Sequence, residues 1–142
     1  MPTTEDVGVV RRLYAAVEAA DLAAVEACFH EETVWHLPGA SPLAGTHRGR
    51  AAIRDDLLAQ QGPLSGGTFR ARLLDLAVGA EYIVAVVHAT ADHAGRHLDL
   101  TVCQLMRVQN GKIVEVRGHY ADEAALNAFW GGFAQRSPAS CR

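Results

Sequence analysis

Asn110-Gly111 stands between two long runs that alternate apolar and polar residues, Arg96–Val108 and Lys112–Tyr120. Both central positions of a two-residue hairpin turn need positive φ, and Asn and Gly adopt it at least cost. The dipeptide therefore predicts a long antiparallel hairpin. Successive side chains in a strand point to opposite faces. Leu98, Leu100, Val102, Gln104 and Met106 accordingly share one face, and Asp99, Thr101, Cys103, Leu105 and Arg107 the other. In the second run Val116, Gly118 and Tyr120 oppose Glu115, Arg117 and His119. One face is apolar and the other mixed, the pattern of a sheet covered on one side only.

Two more strands are expected at Thr68–Leu76 and Tyr82–Asp92, with Asp92–Gly95 as a looser turn. In the first, Phe69, Ala71 and Leu73 oppose Arg70 and Arg72. The N-terminal part is helical instead. Thr3 is a helix N-cap with Asp6 as its capping-box partner, and Val7, Val10, Leu13, Tyr14 and Val17 form one apolar stripe. Asp21 caps a short second helix carrying Leu22, Val25 and Phe29. Thr33–Leu37 is a short strand that Pro38 ends, and PGASPLAGTHRG after it is a long ordered loop or lid. Helical spacing returns over Arg50–Gln61 through Ile53, Leu57 and Leu58, until Gly62-Pro63 stops it. Asp122 caps a last helix bearing Leu126, Phe129, Trp130 and Phe133. The expected architecture is α+β: a curved antiparallel sheet in a cone-shaped barrel, with three to four helices over its concave face and an apolar pocket between. Residues 1–133 make one domain, and 134–142 a loose tail.

A chain of 142 residues fits one core, and 49% hydrophobic with 20% charged residues is the balance of a soluble globule. The net charge of −3 and the lack of a Lys/Arg run argue against a nucleic-acid partner. No segment approaches a membrane span or a signal peptide, so cytoplasmic residence is the expectation. Cys28, Cys103 and Cys141 form no CxxC pair, and His93/His97 spans a turn with no third ligand beside it. No metal and no cofactor is expected.

The order helix, helix, short strand, loop, helix, four long strands resembles the nuclear transport factor 2-like superfamily. RRLYAAVEAADLAAVEACF, TVWHLPGASPLAGTHRGRAAI, and LMRVQNGKIVEVRGHYAD with ALNAFW resemble its SnoaL-like branch, which includes polyketide cyclases and ketosteroid-isomerase-like proteins. The resemblance implies a homodimer that pairs through the outer sheet face, and a conical pocket in each protomer. It also implies positions. His36 stands where the isomerases carry an Asp general base, and Gly45 ends the following loop at matching spacing. Tyr14 matches their helix-one oxyanion donor, and Gln104 stands in place of a protonated Asp. With both carboxyl positions changed, steroid isomerisation itself is not expected.

These residues give two hypotheses. In the first, His36 is the acid/base and Tyr14 and Gln104 are donors or orienting groups. The chain is then a cofactor-free isomerase-, cyclase- or hydrolase-type enzyme acting on an apolar carbonyl compound. In the second, it is a non-catalytic ligand-binding or dimeric adaptor domain. Tyr14 lies on an apolar stripe and is either core or donor. Gln104 sits on an apolar row, so it is either a ligand contact or a partner for Tyr14 or His36. Leu37, Leu57, Leu100, Val102, Val116, Tyr120 and Trp130 are the expected pocket lining, and Trp35, opposite His36 by strand parity, is expected outside it. His88 and His119 fall on the outer face, where a partner protomer would pack.

Overall fold

The computed structural model describes the backbone of residues 1–139 and the side chains of residues 1–131. Helix α1 spans Thr4–Glu18 and opens on the expected capping box: Asp6 N–H donates to Thr3 Oγ1 at 3.1 Å, and Thr3 N–H to Asp6 Oδ2 at 3.0 Å. Each bond satisfies a backbone donor that a helix start leaves open. The stripe buries Val9, Val10, Leu13 and Tyr14. Asp21 caps α2 (Leu22–Ala27) by accepting from Ala24 N–H.

Strand β1 covers Phe29–Leu37 and β2 covers Gly45–Arg48. The stretch expected to be wholly loop thus contains a strand. Its four residues pair antiparallel with β1, from Leu37↔Gly45 to Val34↔Arg48. A helical stretch follows in three pieces: α3 (Arg50–Ala52), a π-helical segment (Ile53–Leu58) and α4 (Ala59–Ser65). It ends where Gly66 turns left-handed at φ 64°, a conformation glycine enters without steric cost. Strands β3 (Arg70–Val78), β4 (Ile83–His93), β5 (Arg96–Gln109) and β6 (Lys112–Tyr120) complete the sheet. Asn110 and Gly111 both have positive φ, 52° and 74°, as the hairpin requires.

The strand order is β2-β1-β6-β5-β4-β3. The sheet is mixed rather than wholly antiparallel, because β1 runs parallel to β6 while every other neighbour pair is antiparallel. It curls around the helices without closing, so the expected barrel is an open one. The chain between β1 and β6 runs through β2, the helical stretch and β3 to β5, long enough for the two to lie parallel, since a parallel neighbour cannot be reached by a tight turn.

Helix α5 runs Glu123–Ala139, and Asp122 Oδ1 accepts from Ala125 N–H at its start. Phe133 and Cys141 fall outside the described side chains. Leu126, Phe129 and Trp130 are buried, and the Trp130 ring lies 5.5 Å from that of Phe69 and 4.9 Å from that of Phe129. These contacts fix α5 over the concave face.

Candidate functional site

A cavity of about 50 Å³ lies between the helices and the apolar face of the sheet. Val17, Val25, Leu58, Gln61 and Phe69 line it and also line a neighbouring groove of about 290 Å³. Those five residues separate an inner chamber from an outer one. Leu57 and Leu58 reach the chamber from the π-helical segment. Such widened turns recur at functional sites.

The chamber wall holds no Asp, Glu, Lys, Arg or His among the described residues. Its polar side chains are Tyr14, Trp35, Gln61, Gln104 and Tyr120. On three of them a buried atom has no hydrogen-bond partner among the described residues: Tyr14 Oη, Trp35 Nε1 and Gln104 Oε1. Most buried polar atoms in folded proteins are paired, so three on one wall is a departure that needs a cause.

Gln104 is positioned by its neighbours across the sheet. Its register partners are Ala85 on β4 and Gly118 on β6. Small residues on both sides leave the inward face open where the amide lies. Burial pushes the Tyr120 hydroxyl up to about 12, and a hydrogen bond from the Gln104 side chain pulls it the other way. Burial also raises the Tyr14 hydroxyl far above its ordinary value, with Tyr120 adding to the effect. Both phenols stay un-ionised at neutral pH and can donate.

His36 is not in this chamber. Strand β1 buries Phe29, Thr33, Trp35 and Leu37 and turns Val34 and His36 outward. The pairing with β6 agrees: Trp35 lies beside inward Val116 and His36 beside outward Arg117. The expectation of an inward His36 and an outward Trp35 is therefore reversed. Period-two alternation also forbids His36 and Leu37 from sharing a face. His36 Nδ1 is 3.0 Å from Thr46 Oγ1, and its Nε2 is 3.8 Å from Glu115 Oε2. It lines two open clefts of about 420 and 340 Å³. Desolvation first, then Arg117, holds its imidazole below the ordinary value, against an upward pull from Glu115.

Tyr14, Gln104, Leu37, Leu57, Val102, Tyr120 and Trp130 all line the chamber. Leu100 and Val116 do not, although both are buried on the inward face. Val116 sits between Trp35 and Met106 in the register, and such large neighbours fill the space above it. Leu100 is packed into the continuous core. Facing inward therefore does not suffice to reach the empty space. Trp35 is the important residue that sequence reasoning misplaced, and the Thr33, Trp35, Leu37 alternation carried the signal. His88 and His119 do lie on the outer face, His88 with its Nε2 at 2.7 Å from Asp99 Oδ1. Among the described residues, no three His, Cys, Asp or Glu side chains converge as metal ligands.

The family model for the SnoaL-like domain matches residues 10–116. The chain belongs to the SnoaL-like family. Its fold is that of the nuclear transport factor 2-like superfamily, which is also called cystatin-like, and the family is one of small-molecule-binding domains. The SnoaL-like domain is 33% identical over 134 residues to an uncharacterised protein of Mycobacterium tuberculosis, covering 92% of this chain and 99% of the relative. Among solved structures, Bal32a, from a soil-derived mobile gene cassette, is 34% identical with a TM-score of 0.84, over 89% of this chain and 96% of that one. A Xanthomonas campestris protein of unknown function with a cystatin-like fold is 29% identical with a TM-score of 0.83, over 89% and 98%. No described helix of the SnoaL-like domain is long and apolar enough to cross a membrane.

Proposed function

We propose that this SnoaL-like domain binds a small, largely apolar and uncharged molecule in the inner chamber, without a cofactor. The observation that carries the proposal is the set of unpartnered atoms, Tyr14 Oη, Trp35 Nε1 and Gln104 Oε1, on one chamber wall. A buried polar group without a partner costs about 1–3 kcal/mol. A guest that supplies partners recovers that cost, and an apolar chamber with few polar groups is the usual form of a ligand site. The uncharged wall favours a neutral guest, because a buried charge without a counter-charge is expensive.

Thermal shift with neutral ring compounds against matched anions and cations tests this. Neutral compounds are expected to raise the melting temperature and charged ones to leave it unchanged. Ala89→Phe is expected to fill the chamber and abolish the shift, since Ala89 is buried on its wall. A charged compound that stabilises the protein while no neutral one does would overturn the proposal.

A second function, acid/base catalysis on a carbonyl compound of isomerase, cyclase or hydrolase type, is favoured by one observation. Leu37 and Tyr120 line both the chamber and the outer cleft that His36 lines. A substrate that reaches past these two residues brings His36, the candidate acid/base, near Tyr14 and Gln104 as donors. Loss of turnover in His36→Ala with unchanged binding in the chamber supports it; unchanged turnover removes His36 from the chemistry.

Two further features belong to the same proposal. A homodimer through the outer sheet face is supported by half-buried Val86, Cys103 and Leu105 on that face, and light scattering on the purified chain tests it. Cytoplasmic residence is consistent with the free thiols of Cys28 and Cys103, which persist in a reducing compartment.

A further inference from the structure

We infer that the guest of the inner chamber is a hydroxylated ring compound, a phenol or cyclic alcohol, whose O–H donates to Gln104 Oε1 while its oxygen accepts from Tyr14 O–H and Trp35 N–H. The inference rests on the chamber being a ligand site and goes on to name the ligand's polar end.

The argument is one of matching donors and acceptors. An indole N–H only donates, and an amide oxygen only accepts. Gln104 Oε1 has no partner among the described residues and is an acceptor left over. Trp35 Nε1 is a donor left over, and the Tyr14 hydroxyl is a second. The chamber thus offers two donors, Trp35 N–H and Tyr14 O–H, and in Gln104 Oε1 a buried group that can only accept. A neutral hydroxyl has one hydrogen and two lone pairs, the complement of that set. A bare carbonyl or an ether would answer the donors and leave Gln104 Oε1 unpaired. A hydrocarbon would leave all three unpaired. An ionised phenolate would answer the donors, but it would face Gln104 Oε1 with a second acceptor and carry its charge into an uncharged wall.

The rest of the wall fits a ring. Leu57, Val102, Leu126 and the Trp130 ring supply apolar and aromatic surface around the polar end. A ligand longer than one ring has somewhere to continue, because the wall residues Val17, Val25 and Leu58 also face the outer groove. Trp35 and Gln104 lie on strands separated by β6, where Trp35 is beside Val116 and Gln104 beside Gly118. At Gly118 the space above β6 is shared by the Gln104 amide and the Tyr120 ring, both of which line the chamber.

Titration of the ¹⁵N-labelled protein with phenol, anisole and toluene, followed by NMR, tests the inference. The three probes share a ring and differ in the hydrogen-bonding end. Phenol is expected to bind at least about tenfold more tightly than anisole, since anisole leaves the buried acceptor unpaired. Only the oxygen-bearing probes are expected to move the Trp35 indole N–H resonance, which Trp35→Phe identifies by its loss. In Gln104→Leu the gap between phenol and anisole is expected to close to within about twofold. Should the wild-type protein bind phenol and anisole within twofold of each other, the hydroxyl assignment is wrong, while the chamber remains a ligand site. Preference for anisole over phenol likewise overturns it, since the free Gln104 atom would then be a donor. If phenol, anisole, toluene and the larger neutral compounds of the thermal screen all fail to bind, the chamber itself is not a ligand site and both proposals fall.

Discussion

Gly118 on β6 lies across the sheet from Gln104 on β5, and a Cβ at Gly118 would stand 3.0 Å from Gln104 Oε1. The same Cβ would come within 2.9 Å of the Tyr120 ring. Those distances are closer than carbon and its neighbours tolerate, so Gly118→Ala must displace either the amide or the ring. Overpacking of this kind costs about 1–3 kcal/mol. The expected result is a lower urea midpoint together with weakened binding of neutral ring compounds. A variant with wild-type midpoint and binding would mean that Gln104 and Tyr120 are free to move.

Tyr14→Phe is expected to stabilise the ligand-free protein. The hydroxyl is buried without a partner among the described residues, so its removal relieves a cost rather than breaking a bond. A gain of about 1 kcal/mol corresponds to about 3 °C in melting temperature for a chain of this size. Gln104→Met should act in the same direction. Both variants should lose affinity for hydroxylated probes, which is the usual trade between stability and a functional site. Calorimetry of the ligand-free variants checks this, and a fall of several degrees in Tyr14→Phe would show that the hydroxyl makes a stabilising bond.

Much of this arrangement was legible before any coordinates. Turn chemistry at Asn110-Gly111 and strict alternation in β5 and β6 placed Gln104 and Tyr120 on the inward face, and Tyr14 followed from helical spacing. Those signals are local, and local physics decided the outcome. His36 failed for the opposite reason. Its place came from resemblance to a family motif, while the burial of Thr33, Trp35 and Leu37 set the face of β1. The parallel pairing of β1 with β6 is a long-range contact with no turn to announce it. The strand β2 was hidden because Gly45 and the prolines before it read as loop, whereas pairing with β1 makes its backbone bonds. The π-helical segment leaves no periodicity signal, since its six residues are too few to define a phase.

His36 should make stability depend on pH on the acid side of neutrality. Its folded-state value is lowered from the ordinary value of 6.5, chiefly by desolvation and by Arg117. As pH falls through that ordinary value, the unfolded chain takes up the proton first, and the folded state loses stability relative to it. The loss grows until the folded-state value is reached and is complete below it. His36→Gln removes this contribution. Measured from pH 8 to pH 5, the urea midpoint of the wild type is expected to fall relative to that of His36→Gln as the pH drops. Parallel curves would show that His36 titrates alike in the folded and unfolded chain.

Leu57 distinguishes a chamber wall from ordinary core. Its side chain is fully buried on the π-helical segment and borders the chamber, whereas that of Ile113 is as deeply buried but does not line it. Truncation of either to Ala costs about 2–5 kcal/mol through lost burial and the space left behind. The two spaces differ in access. The one at Leu57 joins the chamber, so a neutral ring compound larger than the wild-type guest can fill it and restore stability by mass action. The one at Ile113 is sealed by packed neighbours and should stay empty. A naphthol added to Leu57→Ala is expected to raise its melting temperature by more than it raises that of the wild type, and to leave Ile113→Ala unchanged. Equal rescue of both variants would mean that the compound stabilises by binding elsewhere, and no rescue of either would mean that the helical segment collapses into the chamber when Leu57 is lost.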